Sequence, residues 1–153
     1  MASSSPPTIL LVTGASATAH CYDLLVPLLQ QAGYPTEAVA LPSCNPSDPD
    51  AHTGASTGQH ILERHLIPLV EEGQDVVVFA HSYGATSLSG ADRHLSKSER
   101  AAQGLAGGVV GLIYISFALV PDGMSQVVYL GGLWPPFTKV DHVSTFTSID
   151  LKK

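Results

Sequence analysis

The segment Phe79-Ala80-His81-Ser82-Tyr83-Gly84-Ala85 sets a serine between two small residues, directly after the apolar run DVVVFA (75–80) and ahead of the small-residue run ATSLSGA (85–91). With Ala80 in the first glycine place and Gly84 in the second, the spacing matches G-x-S-x-G. In that motif a strand turns sharply into a helix and lifts the serine hydroxyl above the carboxyl end of the strand. Small residues are expected two positions before and two after the serine, where the sharp turn brings the chain close to itself. The chemistry this permits is nucleophilic attack by Ser82 on a carbonyl, with the backbone N–H of Tyr83, at the start of the helix, facing the developing oxyanion. His81 is adjacent, but alternation along a strand turns its side chain away from Ser82 and predicts a structural role.

A second loop could complete such a site. The run TILLVT (8–13) leads into Thr13-Gly14-Ala15-Ser16, and the N–H of Ala15, after the glycine, is the expected second oxyanion donor. The same TGAS could instead open a dinucleotide-binding turn of the short-chain dehydrogenase kind. That reading needs further glycines where Thr18 and His20 stand, and a Tyr-x-x-x-Lys pair. None of Tyr22, Tyr34, Tyr83, Tyr114 or Tyr129 has a lysine four residues on, so an NAD(P)-dependent oxidoreductase is the distant alternative.

The elements that must position these loops read as alternating strands and helices. Thr8–Thr13 predicts a strand buried on both faces. Leu24, Leu25, Leu28 and Leu29 predict a helix over Asp23–Ala32, with Pro27 tolerated in its first turn and Gly33 as its stop. Thr36–Leu41 predicts a second strand, followed by a turn-rich loop, SCNPSDPD. Leu62, Leu66, Leu69 and Val70 predict a helix over His60–Glu72, kinked at Pro68. Asp75–Ala80 is the third strand, and a fourth is expected around Gly111–Ser116. Ala101–Gly107 is small and mixed, and beyond Pro121 the pattern fails, with no further strand-helix unit expected. The alternation predicts an α/β fold: a parallel sheet of about four strands flanked by helices. Residues 1–7 read as a flexible leader, 8–120 as the core and 121–153 as the start of a lid region or an irregular tail.

Composition narrows the function classes. Hydrophobic residues make up 44% and charged residues 13% of the 153, ample for a folded core. The net charge of −6 and the scattered basic residues argue against nucleic acid and anionic membrane as partners. Cys21 and Cys44 are unpaired in spacing, so neither a metal site nor a disulfide framework is expected. Met1–Pro7 lacks a basic region, Ile9–Val12 is too short for a signal-peptide core, and no run approaches the roughly 18 apolar residues of a membrane span. A cytoplasmic protein with a small-molecule substrate and no cofactor is the expectation.

Taken together, TGA (13–15), CYDLLVPLLQQAGY (21–34), AVALPS (38–43), DVVVFAHSYGA (75–85), LSKSERAAQGLAGGVVGLIYISFALVPDG (95–123) and WPPF (134–137) give the chain its family likeness. It resembles the α/β-hydrolase superfamily, in particular the cofactor-free methylesterase and hydroxynitrile lyase type and its fungal and bacterial relatives. The resemblance implies a sheet with the first strand between the second and third, Ser82 as nucleophile, and Tyr83 and Ala15 as oxyanion donors. The family begins its first loop with His-Gly and places an aromatic residue and a His just after, where this chain has Thr13-Gly14, Ser16 and Ala17.

Relatives of this kind continue through a helical lid and the strands that bear the acid and then the histidine. Against that pattern the chain reads as C-terminally truncated, with triad acid and base unassigned. His142, beside Asp141 in the tail, and Asp122, in a Pro-Asp-Gly turn, are weak substitutes; His20, His52, His60 and His65 precede the elbow and read as solvated or capping residues. The expected activity is that of a serine esterase on a small-molecule ester or related carbonyl. The alternatives are a non-hydrolytic lyase or cyclase of small-molecule biosynthesis, or a non-catalytic remnant marked by an exposed apolar sheet edge.

Overall fold

The computed structural model describes residues 5–44, 47, 52–89, 94–116, 120–121, 124–133, 138–140 and 147–149. Four strands, β1 (Thr8–Val12), β2 (Thr36–Val39), β3 (Asp75–His81) and β4 (Gly108–Ile115), form one parallel sheet in the order β2-β1-β3-β4. Parallel neighbours require crossovers, and helical segments fill each of them. They are α1 (Leu25–Gln31) after β1; α2 (Gly54–Ile61) and α3 (Ile67–Glu71) after β2; and α4 (Tyr83–Leu88) and α5 (Lys97–Ala102) after β3. This is the α/β sheet expected from the alternation, with the strand order that the resemblance implies.

Register explains where the core lies. Leu10 stands opposite Val78, and Val12 opposite Ala80, so these residues share one face with Val76. That face packs against Ile61, Leu66 and Val70 of the α2–α3 segment and against Ala85 and Leu88 of α4, all buried. Each such aliphatic side chain contributes about 1.5–3 kcal/mol when fully removed from water. On the opposite face Leu11 is also buried, and the Tyr22 ring meets Phe79 edge-on at 6.4 Å. The level ends of β1 and β3 bring the Thr13–Ser16 loop and the elbow out side by side.

Several elements differ from expectation for physical reasons. The helix expected over His60–Glu72 begins at Gly54. Thr53 caps it: the Ser56 N–H donates to Thr53 Oγ1 at 3.1 Å and the Thr53 N–H donates back to Ser56 Oγ at 2.8 Å. Pro68 is accommodated by a widened π-type stretch, Leu62–Leu66, between α2 and α3. The wide turn gives room where the proline ring and its missing N–H would otherwise break the ladder. In α1 no residue is fully buried; Leu24 and Leu28 face solvent, 87% and 61% exposed, so only part of the apolar spacing there marks an inward face.

Helix α5 was not evident from the mixed composition around residue 101. Ser96 caps it, accepting from the Glu99 N–H at 3.3 Å. Its Arg100 is buried and donates to the carbonyls of Val70 (2.9 Å), Ala106 (3.1 Å) and Gly107 (3.2 Å), tying α5 to the C-terminal end of α3. Beyond Pro121 the chain forms a short helix, α6 (Gln126–Tyr129), and an antiparallel pair, β5 (Thr138–Val140) with β6 (Thr147–Ile149), where no further element pattern was legible.

In the described sheet β4 is an edge strand. Val110, Leu112, Ile113 and Ile115 are 40–47% exposed, and no charge or proline interrupts the strand. The start of β4 is protected, since the Val109 N–H donates to Leu95 O at 2.8 Å and the register against β3 shifts at Val110, but from Gly111 to Ile115 no charge or proline discourages pairing with another chain.

Candidate functional site

Ser82 follows β3 and precedes α4 in a left-handed conformation, φ 53° and ψ −123°. A non-glycine residue costs on the order of 1–3 kcal/mol there and persists only when its surroundings fix it. Three backbone bonds do so. The Ser82 N–H donates to Ile115 O at 2.8 Å, and the Ser82 carbonyl accepts from Ala85 N at 3.1 Å and Thr86 N at 3.3 Å. Serine at a helix N-cap ordinarily spends its hydroxyl on the first turn. Here the side chain makes no capping bond, and among the described residues the hydroxyl has no partner.

At Gly84 the small-residue requirement has a source that the local sequence does not reveal. A Cβ on Gly84 would lie 2.2 Å from Thr13 O and 3.0 Å from Val12 Cγ1. The elbow is therefore tight against the end of β1, and the first loop rides directly on the start of α4. Thr13 cannot easily retreat: its N–H donates to Val39 O at 3.1 Å, and the preceding carbonyl, Val12 O, accepts from the Tyr22 hydroxyl at 3.1 Å. Burial pushes the Tyr22 phenol up to about 12.

The first loop then turns at Ala15 and Ser16, both exposed, with Ser16 also left-handed (φ 58°). A Cβ on Gly14 would lie 3.0 Å from His81 Nδ1 and 3.1 Å from Ser82 Cβ. So His81 does not simply point away, as strict alternation predicts. The strand ends at His81, and its ring flanks Gly14 together with Ser82. Tyr83, the other expected oxyanion residue, heads α4, and an N–H at the first position of a helix has no intrahelical acceptor. Its side chain runs to the start of α2, where a Cβ on Gly54 would lie 3.1 Å from the hydroxyl, and burial raises its pKa.

Three other histidines pair with carboxylates away from Ser82. His20 lies 3.3 Å from Asp23 in solvent, His65 lies 2.5 Å from Glu37, and His94 lies 3.3 Å from Glu99. His60 sits 6.1 Å from the His65 ring, its pKa lowered by burial and then by His65, Arg64 and His52. Asp122, Asp141 and His142 lie outside the described residues. Among the described residues no three His, Cys, Asp or Glu side chains form a metal-binding group, and no helix is long and apolar enough to cross a membrane.

Residues 9–149 match the model of the alpha/beta hydrolase family. The chain belongs to that family. It is 33% identical over 119 residues to an alpha/beta hydrolase of Aspergillus novofumigatus, covering 78% of this chain and 46% of that protein. It is 28% identical over 127 residues to a pyrethroid hydrolase of Sphingobium wenxiniae, covering 80% of this chain and 40% of that one. The chain thus spans about half the length of the curated relatives it matches. The crystal structure of a pyrethroid hydrolase superposes with a TM-score of 0.63 at 23% identity, over 94% of this chain and 56% of that chain. That of a polyneuridine aldehyde esterase mutant gives 0.57 at 21%, over 82% and 46%. At these identities the superpositions speak for the fold. Membership of the family replaces the dinucleotide-binding reading of Thr13–Ser16.

Proposed function

We propose that this chain carries the nucleophile and oxyanion loops of a serine hydrolase acting on a small-molecule ester or related carbonyl. The observation that carries the proposal is the left-handed Ser82 with an unspent hydroxyl, on an elbow held against the end of β1. In the proposed step Ser82 Oγ attacks the carbonyl carbon and loses its proton to a base that the described residues do not identify. The N–H groups of Tyr83 and Ala15 hold the oxyanion. Collapse expels the alcohol and leaves an acyl-serine, which water then hydrolyses. The names of the pyrethroid hydrolase and esterase relatives agree with ester chemistry, and residues 8–120 are the portion we assign to the core that supports it.

A fluorophosphonate probe tests this, because its reaction with serine needs an activated hydroxyl. Ser82-dependent labelling of folded protein is the expected result. The apolar β4 edge favours a second reading, a non-catalytic member of the family. In that case folded protein is not labelled.

A further inference from the structure

We propose that His81 is a positioning residue, whose ring sets the spacing between the Gly14–Ala15 backbone and Ser82. This rests on the proposed role of Ser82 and Ala15 and adds to it the device that holds them in register. The loop after β1 is gripped from two directions by residues on either side of the nucleophile. On one side Gly84 admits the Thr13 carbonyl, which would be 2.2 Å from a Cβ there. On the other, His81 Nδ1 and Ser82 Cβ occupy neighbouring positions about 3 Å from the point where a Gly14 Cβ would stand.

His81 itself is well anchored. Its backbone lies opposite Ile115 in the β3–β4 register, and the next N–H, that of Ser82, donates to Ile115 O at 2.8 Å. The ring is exposed and makes no hydrogen bond among the described residues, so its contact with the loop is one of shape. The loop needs such a stop, because Ala15 and Ser16 are exposed and the one bond across the turn, Ala17 N–H to Gly14 O, is long at 3.4 Å. An oxyanion donor displaced by even part of an ångström loses much of its effect, since the geometry must fit the position the oxygen takes in the transition state.

The test compares the wild-type chain with His81→Ala, which removes the ring, and His81→Phe, which keeps a planar group of similar bulk. Two quantities are read: the rate of fluorophosphonate labelling and the amide NMR shifts of Gly14 and Ala15. The expected result is about a tenfold slower labelling in the alanine variant, with phenylalanine restoring the rate to within about threefold. The Gly14 and Ala15 amides should shift in the first variant and return toward wild type in the second. Labelling of His81→Ala at the wild-type rate, or equal slowing in both variants, overturns the proposal. If the wild-type chain is not labelled at all, the hydrolase reading falls and the amide shifts decide alone: displacement by alanine and return with phenylalanine support the spacing role, and unchanged shifts refute it. Should the alanine variant fail to fold, His81→Gln takes its place with the same criteria.

Discussion

Gly84→Ala is the sharpest structural perturbation available. The new methyl would stand 2.2 Å from Thr13 O, 3.0 Å from Val12 Cγ1 and 3.3 Å from the Thr13 carbonyl carbon. An ordinary carbon–oxygen contact is about an ångström longer than the first of these, so α4 or the end of β1 must move. Neither is free to do so. Thr13 is bonded to Val39, the Ser82 carbonyl accepts from two amides of α4, and Ala85 and Leu88 are buried in the core. Overpacking of this kind costs about 1–3 kcal/mol, and a backbone obstacle places this case at the upper end. At about 2–4 °C per kcal/mol for a chain of this size, the melting temperature should fall by about 6–12 °C. Fluorophosphonate labelling should fall with it. Gly111→Ala is the control, because its Cβ would meet only Val77 methyl groups at 3.8 Å. If Gly84→Ala melts within about 2 °C of wild type and labels equally fast, the close approach of elbow and first loop is not a constraint and the reasoning fails.

Two further outcomes follow from the packing around the sheet. Arg100→Ala removes donors to three carbonyls at the junction of α5 and α3 and should lower stability by about 2–3 kcal/mol, read from the urea midpoint at unchanged slope; Arg100→Lys should recover only part of it. The Tyr22 phenol is held protonated in the fold to about 12, against 10 when unfolded, chiefly by burial. Between those values the native state binds the extra proton, so this group's contribution is intact below pH 10 and is lost as pH rises toward 12. Tyr22→Phe should remove both the late phenolate absorbance and that part of the alkaline destabilisation.

Much of the frame was legible because its signals are local. TILLVT and DVVVFA are short β-branched runs closed by turn residues, and such runs flanked by helical spacing have few alternatives to a parallel sheet. The strand–turn–helix around Ser82 was equally readable, since a serine between small residues after a buried strand is a compact pattern. What stayed hidden depended on neighbours far along the chain. The closest approach to Gly84 comes from Thr13, seventy-one residues earlier. His81 escaped the alternation rule because the strand stops beneath it. The early start of α2 at Gly54 was obscured by a weakly apolar sequence, G-A-S-T-G-Q, and by a capping box closed with serine instead of Glu or Gln. For α5 a signal was present in Ser96-x-x-Glu99 and could have been read. The π-type turn ahead of Pro68 had none, because it is a response of the surrounding helix to the proline and not a preference of its own residues.

The claim that Ser82 is an activated nucleophile is tested most directly by fluorophosphonate labelling of the purified chain beside Ser82→Ala, with the modified residue located by peptide mass spectrometry. The account predicts one adduct, on Ser82, absent from the variant while both proteins keep the same circular dichroism and melting behaviour. Labelling that persists in Ser82→Ala, or a folded wild-type chain that takes up no probe, would contradict it.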